Sequence, residues 1–243
     1  MPPRPTPFLS AILAALLLTT GCAASGTPAT VAAAGATDSG VPALDPVSAP
    51  EWAGDMARFA AEDAASPPPA HPVVFTGSSS VRLWTTLAED FPDQPVLNRG
   101  FGGSHVRDAV HYADEVAIRY RPGRILIYAG DNDTMDGRSP QQVLADFQAF
   151  VARVHHDLPG TPIAFIAIKP SPSRAHLLQV QRASNALVRD WAARTPDVDY
   201  IDVFTPMLGA DGQPRPELFT EDALHMNAQG YALWRDIIAP YLR

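Results

Sequence analysis

From residue 72 onward, short runs of β-branched and other apolar residues alternate with longer stretches whose apolar positions return every three or four residues. The short runs are Val73–Thr76, Pro95–Asn98, Arg124–Tyr128, Ile163–Ile168 and Val198–Asp202, and each predicts a strand. The longer stretches predict helices over 80–89, 104–118, 140–157, 173–194 and 227–241. Apolar strands that alternate with helices imply right-handed crossovers and a parallel sheet covered on both faces, an α/β fold. In such a sheet, functional groups gather outside the carboxyl ends of the strands.

Upstream the pattern changes. Residues 51–65 place Trp52, Met56 and Phe59 at i, i+4 and i+7, which predicts an amphipathic helix ended by Ser66-Pro-Pro-Pro69. Residues 22–50 are rich in Ala, Gly, Ser, Thr, Pro and Val and have no period, so they bury too little apolar surface to offset ordering and read as a flexible tether. Residues 1–21 carry Arg4 as their one charge, an apolar run from Phe8 to Leu18 and the small residues Thr19-Thr20-Gly21, the pattern of a secretory signal. That run is shorter than the roughly 20 apolar residues needed to span a bilayer. Cys22 is the only cysteine, so an intramolecular disulfide is excluded. Its place directly after Gly21 resembles a bacterial lipobox, although Thr19 stands where leucine is usual. The expected organisation is a lipoprotein signal over 1–21, a tether over 22–50 and one domain over 51–243 with its core at 72–243. A lipid on Cys22 would hold that domain at a membrane of the bacterial cell envelope, on its periplasmic or outer face, whereas an ordinary signal peptide would leave it secreted.

Charge narrows the partners. The chain has 18 basic and 26 acidic residues, a net charge of −8, and loss of Arg4 with the signal brings it to −9. Such an acidic balance argues against nucleic acid and against an anionic membrane face. It is compatible with a neutral substrate.

The chemistry-bearing residues fall at strand ends. The first strand runs into Gly77-Ser78-Ser79-Ser80, the second into Asn98-Arg-Gly-Phe-Gly102-Gly103-Ser104, and the third into Gly130-Asp-Asn132-Asp133. After the fifth comes Asp222-Ala-Leu-His225. A serine needs a base to take its proton, and a histidine base needs an anion on its other ring nitrogen. Asp222 and His225, three residues apart, fit one tight turn in which the carboxylate meets Nδ1 and Nε2 faces a serine. Competing motifs are incomplete. Gly77-x-Ser79-x-Val81 lacks the second glycine of a nucleophile elbow. Gly100-x-Gly102-x-x-His105 lacks the third glycine of a dinucleotide fingerprint. The stretch Asp131 to Gly137 has Met135 at the fifth position of an EF-hand loop. Trp84, Leu87 and Trp234 read as core residues. The loop Lys169-Pro-Ser-Pro-Ser173 either shapes a substrate pocket or is simply stiffened by proline.

Gly-Ser-Ser-Ser followed by Val81-Arg82-Leu83-Trp84, then Asn-x-Gly-x-x-Gly, Gly-x-Asn-Asp and Asp-x-x-His, resembles the four blocks of the SGNH hydrolases, also called GDSL-type esterases. The resemblance is collinear over residues 72–243. It implies a three-layer α/β/α sandwich with a five-stranded parallel sheet in flavodoxin-like order, and no metal or other cofactor. It makes Ser79 the nucleophile, Asp222 and His225 the rest of the triad, and the Ser79 and Gly103 N–H groups with the Asn132 amide the oxyanion donors. Ser78 departs from the family, which usually has aspartate before the nucleophile. That aspartate is no triad member, so activity is still expected. The implied substrate is a small ester, of an acyl lipid or an acetylated carbohydrate. The alternative is a carbohydrate- or lipid-binding lipoprotein on the same fold without chemistry.

Overall fold

The computed structural model describes residues 52–242. The predicted signal and tether, with Cys22, lie outside the described residues. Helix α1 (Ala53–Ala65) comes first, and its Met56 and Phe59 are buried at the predicted spacing. Strand β1 (Val73–Gly77) leads to two single-turn helices, α2 (Ser79–Arg82) and α3 (Leu87–Asp90), where one helix over 80–89 was expected. The Asn98 side chain explains the break. Its Nδ2 donates to the carbonyls of Val81 at 2.7 Å and Trp84 at 3.4 Å, which a continuous helix would keep for itself.

Strand β2 (Val96–Gly100) runs two residues past its predicted end, because Arg99 and Gly100 stay in register with Thr76 and Gly77 of β1. The helix expected over 104–118 is α4 (Val106–His111) and α5 (Ala113–Val116), interrupted at Tyr112. Strand β3 (Arg124–Tyr128) is followed by a short helix that the hydrophobic pattern did not predict, α6 (Asp131–Met135). Helix α7 (Pro140–Asp157) has the predicted limits. Ser139 caps it by accepting from the Gln142 N–H at 3.3 Å, Gln142 Oε1 accepts from the Ser139 N–H at 2.9 Å, and Pro140 opens the first turn. Strand β4 (Ile163–Ile166), helix α8 (Leu178–Ala192), strand β5 (Val198–Ile201) and helix α9 (Ala228–Ile238) complete the order. A 3₁₀ turn, Pro172–Leu177, precedes α8 where the longer helix was expected to start.

The sheet is fully parallel in the order β2-β1-β3-β4-β5 and separates two apolar layers. Phe75, Leu126, Tyr128 and Ile166 face Trp84, Phe91, Trp234 and Ile238. Ile125, Ile127, Ile163 and Phe165 face Phe147, Phe150, Val154 and Val188 on the other side. Burying one such side chain contributes on the order of 2 kcal/mol, and the alternation along each strand holds the register. Helix α1 joins the second layer through Trp52, Met56 and Phe59. Arg99, buried on the β2 edge, fastens it by pairing with Asp63 and lying 5.0 Å over the Phe59 ring.

Candidate active site

The carboxyl ends of β1, β2 and β3 lie side by side, so the segments that follow them share one edge of the sheet. At the end of β1 the chain must turn sharply. Gly77 does so at φ +111, and a Cβ there would stand 1.9 Å from the Tyr128 carbonyl oxygen. The Ser78 N–H donates to that oxygen at 2.8 Å, and Ser79 begins α2. Its N–H is therefore among the first-turn donors that a helix cannot satisfy.

Ser79 meets a histidine brought from 146 residues away, with His225 Nε2 3.0 Å from Ser79 Oγ. His225 Nδ1 lies 2.6 Å from Asp222 Oδ2. A carboxylate only accepts, so Nδ1 carries the proton and Nε2 is left to accept from the serine hydroxyl. The turn itself fixes Asp222. Its Oδ1 accepts from the Leu224 and His225 N–H groups at 2.9 Å and from the Thr220 hydroxyl at 2.8 Å. Desolvation works against the charge, but the two N–H groups, the imidazole and the hydroxyl hold the carboxyl well below its usual range. Ala223 between them sits at φ +56, a left-handed conformation that the surrounding hydrogen bonds impose.

On the other flank, Gly103 takes φ +85 in the loop after β2, and its N–H makes no hydrogen bond among the described residues. Asn132 stands in the first turn of α6. Its Nδ2 donates to the Ser104 carbonyl at 3.1 Å and to Ser78 Oγ at 3.3 Å, which ties it to both neighbouring loops. Beneath this loop lies His105, with its Nε2 2.7 Å from Asp136 and its Nδ1 3.2 Å from Asp108. Burial lowers the pKa of His105, but the carboxylates of Asp108, Asp133 and Asp136 raise it further.

Of the five residues expected at the site, Ser79, His225 and Asp222 form one hydrogen-bonded line, Gly103 stands in the loop after β2 and Asn132 in the first turn of α6. A serine hydroxyl relayed to a carboxylate can supply a nucleophile to a carbonyl carbon. The family model described as GDSL-like lipase/acylhydrolase matches residues 73–233, about two thirds of the chain. The chain belongs to the GDSL-like lipase/acylhydrolase family. It is a hydrolase that acts on esters.

Solved structures agree with the fold of this acylhydrolase. A protein from Streptococcus pneumonia provisionally described as a platelet activating factor is 21% identical with a TM-score of 0.69, covering 78% of this chain and 92% of that one. A GDSL-like lipase from Bacteroides thetaiotaomicron is 20% identical with a TM-score of 0.67, covering 77% and 96%. A catalytic mutant of an acetylxylan esterase from Geobacillus stearothermophilus is 14% identical with a TM-score of 0.58, covering 71% and 94%. No match was found among curated proteins.

The Lys169–Ser173 loop was expected either to shape a substrate pocket or to be simply stiffened by proline, and several other contacts that support the site escaped the sequence reading. The Lys169–Ser173 loop braces the His225 turn, since the Ser173 N–H donates to the Ala223 carbonyl at 3.0 Å. Lys169 is buried, and burial lowers its pKa although Asp131 at 3.4 Å counteracts this. Arg174 and Trp52, which touch Asn132 and Gly102, gave no sequence signal beyond charge and a helical apolar period. An arginine five residues after a buried lysine could have been suspected only from the proline-stiffened loop that joins them.

Proposed function

We propose that this protein is a serine esterase that cleaves carboxylic esters through an acyl-enzyme on Ser79. The observation that carries the reading is the unbroken line from Ser79 Oγ through both His225 nitrogens to Asp222. His225 Nε2 takes the hydroxyl proton as Oγ bonds to the ester carbon, and the carbonyl electron pair moves onto its oxygen. That oxyanion is received by the N–H groups of Ser79 and Gly103 and by Asn132 Nδ2. When the carbonyl re-forms, the alcohol oxygen leaves and takes the proton from Nε2. A water then loses its proton to Nε2 and attacks the acyl carbon, and as the carbonyl re-forms Ser79 Oγ leaves with that proton and the carboxylic acid is released.

The substrate class we favour is an ester with a small acyl group on a polar alcohol, such as an acetylated carbohydrate. Among the described residues, Met135 is the one large hydrophobic side chain that is exposed, which offers little surface to a long acyl chain. A cleft of about 460 Å³ beside α2 has a mixed lining, with Arg58, Glu62, Arg82 and Asn98 beside Phe59, Trp84 and Leu87, and neither Ser79 nor His225 lines it. We also propose that Cys22 carries a lipid, on the strength of the apolar run and small residues before it. Labelled fatty acid should enter the wild-type protein in bacteria and not Cys22→Ser.

The test of the esterase is hydrolysis of p-nitrophenyl acetate, butyrate and octanoate by residues 23–243, beside Ser79→Ala. The expected result is turnover that falls with acyl length and disappears in the variant. A folded Ser79→Ala protein with full turnover would refute the nucleophile. Faster cleavage of octanoate than of acetate would refute the substrate class.

A further inference from the structure

Of the three oxyanion donors assigned above, those of Gly103 and Asn132 belong to amide groups whose acceptor oxygen, at the other end, is held by a side chain from elsewhere in the fold. The Trp52 indole N–H donates to the Gly102 carbonyl oxygen at 2.8 Å. That carbonyl and the Gly103 N–H belong to one peptide group, and in a planar trans peptide they point in opposite directions. Fixing the carbonyl therefore fixes the aim of the N–H. The need is real at this place, because two consecutive glycines leave the peptide free to rotate and give it no side chain to hold it. Trp52 itself is firmly held. It is 4% exposed and meets Phe101 edge-on with ring centroids 6.0 Å apart.

The second amide is gripped in the same way. Arg174 Nη2 donates to Asn132 Oδ1 at 3.1 Å. A guanidinium cannot accept, so the amide cannot flip without losing this bond, and Nδ2 stays on the side of Ser78 and Ser104. Arg174 is in turn paired with Asp131 at 2.9 Å, and Gln181 donates to the same Asp131 oxygen at 3.1 Å. We infer that Trp52 and Arg174 are the positioning residues of the oxyanion hole, each holding the acceptor oxygen of the amide whose N–H receives the negative charge. Donation to that oxygen also polarises the amide and strengthens its N–H as a donor. The inference rests on the assignment of Ser79, Gly103 and Asn132 made above. It gives the residue that opens helix α1 a part in the chemistry, although Trp52 precedes the family match at residues 73–233.

The experiment removes each donor while keeping its shape. Trp52 is replaced by benzothienylalanine, in which sulfur stands for the indole N–H, and Arg174 is changed to Met and to Lys. Three quantities are read: kcat and KM for p-nitrophenyl acetate, the affinity for a trifluoromethyl ketone that forms a tetrahedral oxyanion on the serine, and thermal unfolding. Ser79→Ala runs alongside. The expected result for benzothienylalanine at 52 and for Arg174→Met is a kcat about 5- to 30-fold lower with KM unchanged and a matching loss of ketone affinity. Arg174→Lys should recover part of both. Wild-type kcat and ketone affinity in the folded anchor variants, with Ser79→Ala inactive, would overturn the anchors and leave the nucleophile standing. A lower kcat with unchanged ketone affinity would also overturn them, because the effect would then lie outside the oxyanion. Turnover that survives in Ser79→Ala would remove the site itself, and the anchors with it.

Discussion

The two flanks of the site are held by different means. On the His225 side the contacts that fix Asp222 lie within residues 220–225, in a partly exposed turn closed by the Thr220 N–H to the His225 carbonyl at 2.8 Å. On the Asn132 side the contacts cross the fold: Trp52 reaches Gly102 over 50 residues and Arg174 reaches Asn132 over 42. A base and its carboxylate need one distance and one orientation, which a short loop can encode in itself. In the proposed mechanism two amides, from the segments after β2 and β3, must converge on one oxygen, and they need partners from elsewhere in the fold. Substitutions in the turn should therefore act through the chemistry, and those on the other flank through both chemistry and stability.

The largest effect is expected at the turn. Asp222→Asn keeps an oxygen for the Leu224, His225 and Thr220 donors but removes the charge that meets Nδ1. Its kcat should fall about 10⁴-fold, with thermal unfolding within a few degrees of wild type. Steady-state hydrolysis and melting of the same sample decide it. A loss of activity explained by unfolding would erase the contrast between the flanks.

Asn132→Ala comes next. Loss of one oxyanion donor costs about 10²–10³ in kcat. This variant also strands Arg174 Nη2, which is mostly buried, so unlike Asp222→Asn it should lower the melting temperature. A variant as stable as wild type would mean that the buried network does not depend on the amide it holds.

The same contrast governs what was legible in the chain. The five strands were found within about two residues, because apolar runs bounded by turn residues carry their own signal. Helix α7 was found to the residue, since Ser139, Pro140 and Gln142 spell its start locally. The helix expected over 80–89 failed because the residue that breaks it, Asn98, lies on another strand. Ser79, Asp222 and His225 could be read, as each sits in a short motif at a strand end. Trp52 and Arg174 could not be read as partners of the site, because nothing near either one in sequence reports what it touches across the fold.

A smaller effect is expected from pH on the buried flank. Asp133 is fully buried, and its oxygens accept from the Val106 N–H at 3.2 and 3.3 Å. Burial pushes its carboxyl up to about 6, against the pull of His105 and the Val106 N–H and with a further push from Asp146. The unfolded chain releases this proton near the ordinary value of 3.8. Between those two values the native state binds the extra proton, so the group's contribution to stability falls as pH rises from about 4 to 6. The raised pKa of His105 tilts stability in the same direction. Asp133→Asn keeps an acceptor for Val106 and should gain on wild type by on the order of 2 kcal/mol from pH 4 to 7 in urea unfolding. A difference that stays constant with pH would refute the raised pKa.

The smallest effect should come from Ala223→Gly, and it tests how completely the turn determines itself. The left-handed φ of +56 costs an alanine roughly 1 kcal/mol, which glycine would relieve. Glycine also loses more backbone freedom on folding, a cost of about 0.4–1 kcal/mol that nearly cancels the relief. The bonds that place the carboxylate come from Thr220, Leu224 and His225, and the Ala223 N–H still reaches the Thr220 carbonyl at 2.9 Å in either residue. Stability should therefore move by less than about 1 kcal/mol and kcat by less than about twofold. A tenfold loss of kcat in a stable Ala223→Gly protein would show that the strained alanine itself restrains Asp222 and His225, and the turn could then no longer be described by its hydrogen bonds alone.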